Sequence, residues 1–333
     1  MIGMAGALLA GCHRNEPLTV SRTPRLRMHR LDKEIEAIAA RAAPALLGFG
    51  LMNLESGQFW LRLDDRPFPM AGVVNLPLAC AVLAEVEDGR LNLAQTLTLS
   101  NEQLSPPPSP VADAWPGRRA YTAGELFAAA VAQGDDTAAD VLMKRIGGPG
   151  AVQAWLDAKK VDAVRVDRYA REVAPALLGM ASFRAAWKGQ AAFTAAAATV
   201  SPAARHAATL AYLADPRDTA TPRGMLGFLR RFYDGELVSP PSIQRLLALT
   251  TQTPRGADRI KAGLPAKVAF AHEPATSVTD QGFTAAFNDV GIFTLPDRRS
   301  YAVVAFLSGS TAPEPQRAAL FADLGRAAVR GVG

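Results

Sequence analysis

The order of predicted elements points to an α+β domain whose antiparallel sheet is assembled from both ends of the chain, with an all-helical lobe inserted between the two halves. Three observations predict this. Strand-like runs lie near residues 49–64, before the helical middle, and return only after residue 268. Helical periodicity dominates the stretch from about Val73 to Leu249. Amphipathic helices precede the first strand and follow the last, so terminal helices flank the sheet.

Each element has a local reason. Leu31, Ile35, Ile38, Ala42 and Leu46 recur at helical spacing and predict a helix over 31–47. Phe49 to Leu54 and Gln58 to Asp64 read as strands, joined through Glu55-Ser56-Gly57 as a hairpin. The helical middle is broken by loops, among them the proline-rich Leu104 to Arg118. The alanine-rich 191–200 stretch reads as helix. Strands are expected near Val268 to Ala271, Phe283 to Leu295 and Tyr301 to Leu307, with a hairpin at Leu295-Pro296-Asp297-Arg298-Arg299. A helix over 315–329 closes the chain, and there is no internal repeat.

Composition narrows the function classes. The 333 residues are 49% hydrophobic and 20% charged, enough apolar content for a large core and too little charge for wholesale disorder. Thirty-six basic residues against 31 acidic give a net charge of +5, but they are spread along the chain, which argues against a nucleic-acid-tracking surface. Two cysteines exclude a disulfide scaffold. Ile2 to Gly11 is a short apolar run ending Leu9-Ala10-Gly11-Cys12, the pattern of a bacterial lipoprotein signal with lipidation at Cys12; it is too short to span a bilayer. A basic leader region is missing, and a frayed N-terminus with a chance cysteine is the competing reading. The expected organisation is a signal peptide with lipobox over 1–12, a polar tether over 13–30 and one domain over 31–333, in the periplasm and anchored to the (outer) membrane. Cys80, on an apolar helix, reads as a small buried thiol. His13, His29 and His206 read as tether or surface residues.

Five segments carry the chemistry. They are Phe68 to Ala79 around Gly72 and Asn75; Gly134-Asp135-Asp136 with Arg145-Ile146-Gly147-Gly148-Pro149; Arg168-Tyr169-Ala170; Asp215 to Pro222; and Ala271-His272-Glu273-Pro274-Ala275-Thr276-Ser277 with its continuation to Ile292. Together they resemble the class A β-lactamases, penicillin-recognising serine hydrolases, from about Leu31 to the C-terminus. The resemblance implies their three-layer αβα fold: an α/β lobe over 31–68 and 262–333, a helical lobe over 69–261, and a cleft between them. The family's motifs are S-x-x-K, S-D-N, R-[YW]-E and K-T-G. Residue by residue, Gly72 stands for the nucleophilic Ser and Asn75 for its Lys. Gly134 stands for the proton-shuttling Ser, Asp136 for the substrate-contacting Asn, Ala170 for the water-activating Glu, and Glu273 for the anion-binding Lys. The matching residues imply an Arg168–Asp218 ion pair at the omega-loop neck. They also imply a structural, helix-capping Asp135 and an oxyanion hole from the amides of Gly72 and Thr276. About fifty residues separate Arg168 from Asp218, an enlarged insert over roughly 170–217. It is expected to cap the cleft; packing elsewhere as extra surface is the alternative.

Glycine offers no oxygen to acylate, and asparagine and alanine are not general bases. Loss of a serine-hydrolase nucleophile alone costs on the order of a million-fold in rate. The expected function is a non-catalytic, envelope-anchored pseudoenzyme that binds a small molecule or a protein partner. Its binding cleft is formed by Gly72, Asn75, Asp135, Asp136, His272, Glu273 and Thr276, and Glu273 and Asp136 favour neutral or cationic ligands. A weak hydrolase of changed mechanism, working through Ser277, Thr276 or His272, and an interaction scaffold with an unused cleft are the alternatives. His272, Glu273, Asp135 and Asp136 on one cleft would form an acidic set able to hold a cation, but no H-E-x-x-H or C-x-x-C spacing supports a metal. No cofactor is expected.

Overall fold

The computed structural model describes residues 25–332. Cys12, the signal-peptide expectation and most of the tether lie outside them. The part of the tether that is described belongs to the folded domain: Leu26 is buried, its amide donates to Gln58 Oε1 at 2.7 Å, and the Arg27 amide donates to the Gly331 carbonyl at 2.8 Å. The first helix starts at Met28 and ends at Ala42, not at residue 47. Pro44 cannot continue the amide ladder, and Leu46 and Leu47 join the following strand.

The main sheet holds β1 (Leu46–Asn53), β2 (Phe59–Arg62), β3 (Ala269–Thr276), β4 (Phe283–Thr294) and β5 (Ser300–Ser310), in the order β2-β1-β5-β4-β3, with the short Thr279–Asp280 strand added to β4. Every pairing is antiparallel. β1 from one end of the chain pairs with β5 from the other, Leu51 opposite Val303. The period-2 alternation of strand side chains separates two cores. Leu47, Phe49, Leu51, Val303, Ala305 and Leu307 pack under the Met28–Ala42 and Glu314–Val332 helices. Ala302, Val304 and Phe306 face the helical lobe. Gly48 and Gly50 are required on that second face: a Cβ on Gly48 would lie 2.5 Å from the Phe68 ring, and one on Gly50 would lie 2.8 Å from Leu226.

The helical lobe surrounds Asn75–Glu87, whose residues 75–83 are all buried, as expected of a helix apolar on every side. The insert contains helices Ala170–Leu177, Gln190–Ala197 and Pro202–Ala214, and it closes on an apolar cluster of its own that includes Leu177, Leu178, Met180, Phe183, Phe193 and Tyr212. Leu104 and Ala112 from the proline-rich loop join this cluster, and that loop folds a short helix, Pro110–Ala114, capped by Ser109. No described helix is long and apolar enough to cross a membrane.

Candidate functional site

The chain enters the site through Phe68–Pro69, which pairs with Thr219–Ala220. Asn288 on β4 donates to the carbonyls of Pro69 and Met70, both at 2.9 Å, and pins this entry to the sheet. Ala71 then adopts φ +48°, a strained backbone for a residue with a side chain. The turn Ala71–Val74 runs straight into the Asn75–Glu87 helix. Gly72 lies on this turn at the wall of a cavity of about 600 Å³, where an added Cβ would meet only the Ala275 methyl, at 3.5 Å. Thr276 borders the same cavity.

Behind Gly72 the polar residues turn inward. Asn75 is buried and donates to the Ala130 carbonyl at 3.3 Å. Gly134 ends a wide helical turn, Ala129–Gln133, with φ +65°. A Cβ there would collide with the Arg255 guanidinium, with its Cζ only 2.6 Å away. Arg255 fills the space beside Gly134. It donates to the carbonyls of Pro274 at 2.9 Å and Val131 at 3.1 Å, and pairs with Glu273 Oε1 at 2.5 Å. Glu273 is fully buried; burial pushes its carboxyl up to about 7 although Arg255 pulls it down, and Oε2 has no partner.

Asp135 caps the Asp136–Arg145 helix through the Ala138 amide at 2.9 Å, and also accepts from Val111 N and Ser109 Oγ, each at 2.8 Å. Burial raises its carboxyl, while these donors oppose the rise. Asp136 lines the cavity; burial first, then the carboxyls of Asp140 and Asp135, push it up to about 8. Asp140, raised by burial to about 6, receives the amides of Ala170 at 2.7 Å and Arg171 at 2.9 Å and so anchors the first insert helix.

Of the seven residues expected to form the binding cleft, Gly72, Asp136 and Thr276 line the cavity; Asn75, Asp135, His272 and Glu273 do not. The reason for the last two is strand alternation on β3. His272 faces the terminal helices, stacked on Phe270 and bonded through Nδ1 to the buried Asp289 at 2.8 Å. Glu273 points into the opposite layer, toward Arg255. The four-residue acidic set therefore does not converge, and among the described residues no group of three His, Cys, Asp or Glu side chains is arranged to hold a metal ion. The charge that Glu273 was expected to present to a ligand is spent on Arg255.

The insert's neck is closed by Arg168 Nε on Asp218 Oδ2 at 2.6 Å, both side chains being over nine-tenths buried. The other Asp218 oxygen takes the amides of Asp167 at 2.7 Å and Arg168 at 3.1 Å. Ala170 lines the cavity, as do Val173, Leu177 and Phe193 of the insert, which places the enlarged loop over the cleft. No lysine, histidine or cysteine is among the cavity-lining residues. Two hydroxyls of the lining are engaged: Thr276 Oγ accepts from Arg259 at 2.5 Å, and Ser277 Oγ accepts from the Ala286 amide at 2.9 Å. Neither has a base to take its proton. Cys80 is buried, and burial pushes its thiol up, which keeps it inert.

Sequence reasoning missed Arg255, Arg259, Asn288, Asp140 and Tyr212. The one signal for Arg255 was Glu273 itself, because a buried carboxylate needs a cation. With 36 Lys and Arg in the chain, only the fold selects which one.

Comparison with known proteins matches this arrangement. The model of the beta-lactamase enzyme family covers residues 30–332. Beta-lactamase VEB-1 of Pseudomonas aeruginosa is 25% identical over 81% of this chain and 80% of its own length; extended-spectrum beta-lactamase PER-1, from the same organism, is 26% identical over 90% and 86%. The crystal structure of a beta-lactamase from Chitinophaga pinensis superposes with a TM-score of 0.73 at 27% identity, covering 89% of this chain and 97% of that one. An ancestral class A beta-lactamase, the last common ancestor of Gram-negative bacteria, gives 0.72 at 28% identity, covering 90% and 99%. The sheet built from both chain ends and the helical lobe thus place the chain in one group of proteins: this chain belongs to the beta-lactamase enzyme family and has the class A fold.

Proposed function

We propose that this protein has left acyl transfer and works as a pseudoenzyme, holding a ligand non-covalently in the cleft. The observation that carries the reading is the Gly134–Arg255–Glu273 arrangement. In the class A pattern a serine and a lysine from two motifs supply a hydroxyl and a cation at the cleft. Here a guanidinium occupies the room a side chain on Gly134 would need, and its charge is consumed by the buried Glu273. Gly72 adds no nucleophile, and Ala170, at the cavity wall, has no group to activate water. What persists is a backbone frame, and in a serine-hydrolase template such a remnant gives at most about a thousand-fold over water.

The test is exposure of the intact protein to a fluorescent penicillin, followed by mass measurement and a hydrolysis assay. No adduct and no turnover above background are expected; a stable acyl adduct overturns the reading. A weak hydrolase is the second reading, favoured by the fact that the named relatives are called beta-lactamases, and turnover without an adduct would support it. The proposed location is the periplasmic side of the envelope, through a lipid on Cys12. Incorporation of labelled palmitate that disappears in Cys12→Ala is the expected result, and labelling that persists in that variant refutes it.

A further inference from the structure

We propose that the Arg205–Asp280 ion pair is a latch: it holds the insert helix Gln190–Ala197 across the cleft as a lid, and its opening admits molecules too large to reach Gly72 past the closed lid. The proposal concerns entry alone and holds whether or not the cleft does chemistry.

The first observation is where the pair lies. Gln190, Phe193, Thr194 and Ala198 of the insert line the cavity together with Val278 and Thr279 of the sheet lobe, and Arg205 and Asp280 line it from either side of that seam. Arg205 Nε donates to both carboxylate oxygens of Asp280 at 3.0 Å. The two side chains are 14% and 17% exposed, so water screens the pair less than it would on an open surface. Among the described residues it is the one ion pair that joins the insert to the sheet lobe.

The second is what the same guanidinium holds besides Asp280. Arg205 Nη1 donates to the Val200 carbonyl at 2.7 Å, just past the end of the lid helix. One side chain therefore ties that end of the lid to the sheet lobe. The contacts that assist it are modest: Gln281 Nε2 donates to the Pro202 carbonyl at 2.9 Å, and His206 meets Phe283 edge-on with ring centres 5.8 Å apart.

The third is that the lid depends on its ends. It is eight residues long and buries only Phe193 and Ala197. A helix this short has little stability of its own, and an element with few buried contacts opens at low free energy. Gly189 starts it at φ +84°, a conformation suited to glycine and placed as a hinge. The root of the insert is firmer. Asp140 holds the amides of Ala170 and Arg171, Asp218 holds Arg168, and Leu177 and Tyr212 belong to an apolar cluster that Ala285 of β4 joins. Loss of the latch frees the lid before it frees the rest.

The experiment reads entry with a thiol placed at the cavity wall by Gly72→Cys, where the Cβ has room. The full-length protein is treated with N-ethylmaleimide or with the bulkier, also uncharged N-(1-pyrenyl)maleimide, and each modified site is identified by peptide mass mapping. The two reagents share one reaction. Their rate ratio, bulky over small and divided by the ratio for N-acetylcysteine, therefore reports the opening and not the reactivity of the thiol. With the latch intact this normalised ratio should be about 0.1 or less. Arg205→Gln and Asp280→Asn should each raise it about five-fold, and the double variant no further, because all three empty the same pair. Cys80, buried in the core, should stay unmodified throughout, which separates lid opening from unfolding. Amide hydrogen exchange over residues 190–200 should accelerate in the same latch variants without the reporter thiol. A normalised ratio near one with the latch intact, a ratio or an exchange rate unmoved by the latch variants, or Cys80 modified in step with the reporter overturns the proposal. Acylation by penicillin would sink the pseudoenzyme reading and leave the latch standing.

Discussion

Replacing Gly134 with serine tests whether the site can be rebuilt at that position. The new Cβ would lie 2.6 Å from Arg255 Cζ and 3.1 Å from Nε, so the guanidinium must leave. Its departure breaks the bonds to the Pro274 and Val131 carbonyls and strips the buried Glu273 of its cation. Breaking a fully buried pair costs about 3–5 kcal/mol; the Arg255 side chain is 26% exposed, which puts this one near the lower end, at about 3 kcal/mol. Gly134 also has φ +65°, and a side chain in that region adds about 1–2 kcal/mol. The expected loss is therefore about 4–5 kcal/mol, a large part of a typical domain's 5–15 kcal/mol. Urea denaturation of Gly134→Ser, Arg255→Ala and the double variant measures it. Because both single changes empty the same pair, the double variant should be less destabilised than the sum of the two, by about 2 kcal/mol. A Gly134→Ser midpoint matching the parent, or strict additivity, would refute the steric argument.

Four further outcomes follow from the site. Gly72→Ser should be neutral to within about 0.5 kcal/mol, since its Cβ has room; Gly72→Ser with Asn75→Lys should still turn over no β-lactam, because Ala170 and the Glu273–Arg255 pair remain, and measurable turnover would count against this. Asp136, Asp140 and Glu273 are held at about 8, 6 and 7, above their ordinary values near 4, so the folded chain binds more protons than the unfolded one between about pH 4 and 8. Stability should fall as pH rises through that window; Asp136→Asn should flatten the fall, and identical urea midpoints at both ends of the window would contradict it. Asp218→Asn removes the charge that holds Arg168 while keeping a residue tolerated at φ +52°, and should cost about 2–4 kcal/mol and open residues 170–217 to limited proteolysis; an unchanged cleavage pattern would show that the neck is held by other contacts.

The architecture was legible because it is written in local periodicities. Period-2 runs at both ends and period-3.6 runs between them are properties of short windows, and the hairpins at Glu55-Ser56-Gly57 and Pro296-Asp297-Arg298 are marked by turn residues. Two boundaries slipped: Pro44 ended the first helix at Ala42, and contacts with distant elements drew Leu26 into the folded domain. The Arg168–Asp218 pair and the Asp135 cap were legible too, because the segments that carry them are contiguous in sequence. Their surroundings were not.

From the residues alone follow the class of fold, the absence of a serine at position 72 and of a lysine at 75 and 273, and the unusual length between Arg168 and Asp218. Tertiary structure decided what those changes became. Arg255 lies 121 residues from Gly134 along the chain and 18 from Glu273, and no local pattern ties the three together. Packing alone brings one guanidinium into the gap left by a missing side chain and onto a buried carboxylate. The same holds for the cavity: the apolar helices of the insert are visible in sequence, but only their closure over Gly72 turns them into a wall.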